Sequence, residues 1–207
     1  MKGKRMPYLS QKAVVYHETG HLVIGIRQGL DPWEILFDSP TCALTAFKPC
    51  DPIPPPEEEA MRQLAGIITQ LEFVPESISS QLREAMRESV IFGYGRPLPV
   101  GLSSIDLRYR GGGGGDMDKA DQIARSIPGL DDCGVMAFLQ QAEVKVRTLL
   151  SDPVVRRHIE TIAQDIEVWL QKDFSPSKNR YHGERALSVI GLARDSEREA
   201  GDSGSAS

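Results

Sequence analysis

His17, Glu18 and His21 stand in the order H-E-x-x-H within the apolar run Ala13-Val14-Val15-Tyr16-His17-Glu18-Thr19-Gly20-His21-Leu22-Val23-Ile24-Gly25. On a helix, residues four apart lie one above the other on the same face. Two imidazoles at that spacing can grip one metal ion, and the carboxylate beside the first of them can reach a water at the metal's open position. Zinc-dependent hydrolysis of peptides requires these parts: two neutral imidazoles on the ion, a carboxylate to take a proton, and a coordination position left open.

The flanking sequence predicts the helix that this chemistry needs. Ser10 is suited to the N-cap, no proline interrupts 11–28, and Gly29 followed by Asp31-Pro32 reads as a stop. Val14, His17, His21, Ile24 and Gln28 recur at helical spacing, so the histidines fall on a largely apolar stripe. Gly20 and Gly25 each cost a helix interior about 1 kcal/mol relative to alanine. Glycines kept there predict another element packed tightly against the helix.

A catalytic zinc ion takes at least one more protein ligand. Downstream carboxylates are many, and spacing alone does not choose among them. Asp116 is favoured by its place at the opening of a helix directly after five glycines that let the backbone approach closely. A plain N-cap aspartate after a flexible loop is the competing reading.

Composition bounds the rest. At 207 residues, with 40% hydrophobic and 26% charged residues, the chain is a globular domain of ordinary size. A net charge of −5 supplies no basic field for nucleic acid. The basic start is followed by no apolar signal core, and the run around the histidines is too short to span a bilayer. Three cysteines, Cys42, Cys50 and Cys133, with no C-x-x-C pair, argue against a disulfide framework and for a reducing, cytoplasmic setting.

Further elements follow from periodicity and punctuation. Two short strands, 33–37 and 42–47, flank the turn formers Asp38-Ser39-Pro40. A proline-rich connector at 49–56 leads to a helix over 57–73, whose three opening glutamates suit the helix dipole. Helices are expected over 76–92, 116–127, 132–150, 153–174 and 184–192, with His158 a solvated surface residue. The long 94–115 segment with its glycine run reads as a mobile loop, and 195–207 as a disordered polar tail after a domain over 1–194. The expected fold class is mainly α, with a small β element at about 33–47 beside the H-E-x-x-H helix.

The segment Tyr16-His17-Glu18-Thr19-Gly20-His21-Leu22-Val23 resembles the zinc helix of the FtsH-type AAA+ metalloproteases, which commonly reads Y-H-E-A-G-H. Gly115-Asp116-Met117-Asp118-Lys119-Ala120-Asp121-Gln122-Ile123-Ala124-Arg125 resembles their later N-D-[LI]-x-x-A-T-x-[IL]-A-R segment. Weaker likenesses are 33–47 to the family's substrate-flanking edge strand, Leu64-Ala65-Gly66 to its L-G-G-R-A-A-E-E helix, and 182–190 to its last short helix. The resemblance implies that His17, His21 and Asp116 bind one Zn²⁺, that Glu18 is the catalytic base, and that Ala43, Leu44 and Thr45 hold an extended peptide by backbone pairing. It implies a peptide or unfolded-protein substrate.

The chain departs from the family in three respects. No G-x-x-x-x-G-K-[ST] nucleotide loop and no membrane-spanning helix occurs, so peptidase activity is expected to be independent of ATP, with a separate ATPase partner or a homo-oligomer both open. The family's paired glutamates fall on Gln70 and Leu71, with Glu72 one place later as the remaining carboxylate to support a zinc histidine. The connector over 73–115 is also longer. Two alternatives to an active peptidase follow: an adaptor or interaction module with a retained metal site, and a helical domain that zinc merely stabilises. Retention of Glu18 speaks against both, since neither needs a base beside the metal.

Overall fold

A computed structural model describes residues 10–77 and 114–192 of the chain. The expected helix over 76–92, most of the 94–115 loop and the 195–207 tail lie outside the described residues. At 75–77 the chain makes a 3₁₀ turn.

The first helix, α1 (Gln11–Arg27), starts and stops on the expected residues. Ser10 Oγ accepts the Ala13 N–H at 3.2 Å. At the other end Gly29 takes φ +82°, the Gly29 N–H reaches the Ile26 carbonyl and the Leu30 N–H reaches the Gly25 carbonyl. These two bonds form a Schellman motif, which only a residue tolerant of the left-handed region closes without strain. Between the ends, every residue from Ala13 to Gly25 is buried. The apolar stripe read from the sequence is therefore one face of a helix enclosed on all sides. Helix α2 (Pro56–Phe73), helix α5 (Pro153–Lys172) and strands β1 (Pro32–Ser39) and β2 (Cys42–Phe47) all pack on it.

Helix α2 opens with Pro56 at its first turn and Glu57, Glu58 and Glu59 behind it, where their charges meet the unpaired N–H groups. Its other side carries α3 (Gly114–Arg125) and α4 (Asp132–Ser151). Aspartates cap the last two long helices: Asp131 accepts the Gly134 N–H at 2.8 Å, and Asp152 accepts the Val154 N–H at 2.7 Å. Helix α3 begins at Gly114, which puts Asp116 inside the first turn and not at the N-cap.

The sheet is antiparallel with order β2-β1-β3, where β3 is Arg180–His182 and leads straight into α6 (Gly183–Val189). Thr45 stands opposite Ile35, and Tyr181 opposite Ile35 on the other side. Strand β3 was not expected from the sequence; three residues are too few for alternation to register. It is held by a buried Glu34 paired with Arg180 at 3.0 Å, and by Phe37, Phe174 and Tyr181 packed around Trp169 of α5. The fold is thus mainly α with a small β element, and β2 is the outer strand of the sheet, on the side of the histidines. Among the described residues no helix is long and apolar enough to cross a membrane.

Two further expectations are corrected by packing. His158 is half-buried with its Nδ1 enclosed and without a hydrogen-bond partner among the described residues. Burial and the charges of Arg27 and Arg157 push its pKa below the ordinary histidine value. Glu72 is exposed and pairs with Arg147 of α4 at 3.2 Å, so it gives the histidines no support.

Candidate metal centre

The helical register of α1 places His17 and His21 on the side facing α2, and that side is shaped by glycine. A Cβ at Gly20 would stand 2.7 Å from the Ala65 carbonyl oxygen. A Cβ at Gly66 would stand 2.6 Å from His17 Nε2, and closer still to His21 Nε2. Real Cβ contacts essentially never come so near, so the two glycines let the helices meet and leave the imidazoles the space above Gly66. The cost of glycine in a helix interior is what permits this approach.

Asp116, 99 residues from His17 in sequence, is carried to the same point by α3 packing on α2. Its Oδ2 lies 2.9 Å from His17 Nε2 and 3.3 Å from His21 Nε2, and the two Nε2 atoms are 3.1 Å apart. Ligands about 2.0–2.1 Å from a tetrahedral zinc ion are separated by about 3.3 Å. The three donor atoms therefore already form a triangle close to one face of a zinc tetrahedron. Donor chemistry agrees: two imidazole nitrogens and a carboxylate oxygen could hold a metal ion, and they match the kind of three-ligand set found in catalytic zinc sites.

A second contact holds the His21 ring. His21 Nδ1 donates to the Arg62 carbonyl at 2.7 Å, a bond that leaves Nε2 free to offer its lone pair. His17 Nδ1 is buried with no partner among the described residues. Electrostatics show what the cluster asks for. Burial works against charge on His21, yet the hydrogen bond and charge of Asp116, with help from Glu18, outweigh it and raise its pKa to about 8. Burial likewise works against charge on Asp116, and the two histidines overcome it and hold its carboxyl well below the usual carboxylate range. Three lone-pair-bearing atoms this close need a positive charge among them, which a proton or a metal ion can supply.

Glu18 is buried beside this cluster, with 6% of its surface exposed against 4% for His17 and 9% for His21. All four residues line one open cleft of about 480 Å³, together with Ala43, Leu44 and Thr45 of β2. The sequence-read site is thus brought together in full, apart from one feature: the Thr45 side chain turns inward, and its Oγ donates to Glu18 Oε2 at 2.8 Å. Leu44 is exposed on the cleft rim.

Sequence reading missed several members of the site. Arg62 lends its carbonyl to His21, lays its guanidinium 5.3 Å above the Phe47 ring and pairs with Glu59. Lys119 approaches the second Asp116 oxygen at 3.4 Å, one turn along α3. Gly66 was noticed only as part of a weak likeness. Arg62 and Gly66 carry no signal in spacing, because each acts on histidines remote in sequence, and Lys119 gains meaning only once Asp116 is placed at the site. No protein-family model matches the chain, and no curated protein matches it.

Proposed function

We propose that the chain is a zinc-dependent metalloendopeptidase, a relative of the peptidase domain of FtsH-type proteins, which cuts unfolded or flexible polypeptides without ATP. The observation that carries this reading is the convergence of His17, His21 and Asp116 donor atoms within 2.9–3.3 Å of one another beside a buried glutamate in an open cleft. His17 and His21 through Nε2, and Asp116 through Oδ2, would hold the ion. Zinc bound there supplies a Lewis acid that polarises the scissile carbonyl and makes water acidic enough to lose a proton near neutral pH.

The chain's own groups do the remaining work. Glu18 takes the proton of the attacking water on a carboxylate oxygen and hands it to the departing amine. The Arg62 carbonyl fixes the His21 ring, so that Nε2 stays turned to the ion. Strand β2, outermost in its sheet, offers backbone groups along the cleft, and an extended peptide can add there as a further strand. A cleft that accepts one strand excludes a folded substrate. The chain holds no nucleotide loop with which to unfold one, so a separate ATPase would be needed for that task. Three exposed free cysteines suit the reducing cytoplasm, where we place its work.

The decisive experiment pairs zinc content with hydrolysis of an unstructured peptide by wild type and Glu18→Gln. Both proteins should bind about one zinc ion, and only wild type should cut. The amide fits the same space but cannot take a proton. Equal turnover by both proteins would remove Glu18 from the mechanism. Full zinc occupancy with no turnover by wild type would favour the interaction-module reading.

A further inference from the structure

The inward turn of Thr45 is a feature that peptide binding by β2 does not use. Its hydroxyl oxygen lies 2.8 Å from Glu18 Oε2 and 3.1 Å from the Glu18 backbone carbonyl. A threonine has one hydroxyl proton to give, and the shorter contact, to a charged acceptor, is the stronger of the two. Among the described residues this is the hydrogen bond that the Glu18 carboxylate makes with another side chain. A buried carboxylate with a donor on one oxygen is restricted in rotation: Oε2 is turned to the strand, and among the described residues no hydrogen bond is made to Oε1.

We infer that Thr45 is a positioning residue for the proton-transfer base, acting through its hydrogen bond to Glu18 Oε2 and not as a contact to substrate. The bond sets which oxygen of Glu18 meets the proton, and it ties that orientation to β2. The strand is docked on α1 at a second place, where the Phe47 ring fills the space that a Cβ at Gly25 would need. Strand and base are therefore registered against each other, and a peptide laid along β2 meets a carboxylate already aimed. Threonine suits the task because its branched Cβ favours a strand and restricts χ1, so the hydroxyl direction follows from the backbone.

This inference rests on the peptidase reading, and the test separates the two. Thr45→Val removes the hydroxyl at nearly constant shape, and Thr45→Ser keeps it. With zinc content unchanged, Thr45→Val should lower kcat on the order of 10- to 100-fold, as loss of an orienting partner does, and leave KM within about two-fold. Thr45→Ser should recover most of kcat. A Thr45→Val kcat within two-fold of wild type, a change in KM alone, or failure of serine to rescue would each overturn the assignment.

Melting temperature gives a readout that needs no turnover. Thr45→Val should lower the melting temperature of the full chain by several degrees, because a buried carboxylate loses its donor. The same substitution in a Glu18→Ala background should lower it little or not at all. Equal shifts in both backgrounds would mean that the hydroxyl serves something other than the Glu18 carboxylate, such as the backbone carbonyl of the same residue, and would overturn the assignment. If zinc-loaded wild type cuts no peptide, the peptidase reading fails, and the melting experiment still decides whether Thr45 holds Glu18.

Discussion

Gly66→Ala adds one methyl group to the floor under the two imidazoles, and its effect can be worked out from the distances. The new Cβ would stand 2.6 Å from His17 Nε2 and 2.8 Å from His17 Cδ2, and nearer to His21 Nε2. Unstrained contact begins at about 3.5 Å, so the rings or the helix must yield by roughly 1 Å at the nearest atom, His21 Nε2. Zinc–ligand distances tolerate departures of about 0.2 Å. The displacement is several times larger and falls on two ligands at once. Misplacement on this scale costs about 100-fold in rate, and zinc affinity should fall by at least the 10- to 100-fold typical of disturbed support around a metal. Stability of the metal-free chain should change much less. Alanine gains about 1 kcal/mol over glycine in a helix interior, against roughly 1–3 kcal/mol for overpacking. Zinc affinity measured by competition with a chromophoric chelator, alongside thermal melts, separates these effects. Gly134→Ala is the control, since its Cβ meets the movable end of Leu130 at 3.0 Å. A Gly66→Ala protein that binds zinc within two-fold of wild type would refute the argument that the bare helix surface shapes the site.

Other predictions concern ligand identity, protons and substrate. Asp116→Ala should lower zinc affinity by more than the roughly 100-fold expected for outer partners, whereas Asp118→Ala and Asp121→Ala should have small effects in the same titration; equal loss from Asp118→Ala would put the α3 register in error. In the metal-free protein His21 has its pKa raised from the ordinary 6.5 to about 8, so its contribution to stability is complete below pH 6.5 and is lost as pH rises through 8. That shift corresponds to about 2 kcal/mol, seen as a falling melting temperature between pH 6.5 and 8; a flat profile would contradict it. Zinc affinity should rise through the same window, because the proton on His21 must leave. Casein or an unstructured peptide should be cut, while a stably folded protein should be spared except through its own unfolding, with ATP making no difference in either case.

The sequence made the local parts of this account readable and left the remote ones hidden. His17, Glu18 and His21 needed only helical spacing to be recognised, and Ser10 and Gly29 mark the helix ends through cap chemistry that acts within four residues. Asp116 was singled out by its place after a glycine run and by a family likeness, and the structure brings it to the histidines. Burial was misjudged where tertiary contacts decide it. Periodicity showed an apolar stripe on α1 but not that β2, α2 and α5 enclose the helix on every side. His158 stands beside two arginines in sequence, which suggests solvent, yet its Nδ1 is enclosed by packing. Strand position suggested a backbone role for Thr45 in holding a peptide; the direction of its side chain, toward Glu18, depends on how β2 docks against α1, which no local pattern encodes. Glu72 is the carboxylate next to the positions of the family's paired glutamates, but helical geometry turns it outward to Arg147.

The proposed zinc centre joins two histidines four residues apart to an aspartate 99 residues beyond the first of them. Anomalous diffraction collected on both sides of the zinc absorption edge, from crystals of the full chain grown with equimolar zinc, tests it most directly. A single strong peak is expected about 2.0–2.2 Å from His17 Nε2, His21 Nε2 and Asp116 Oδ2, absent in His17→Ala crystals. A peak on other residues, or none between these three, would contradict it.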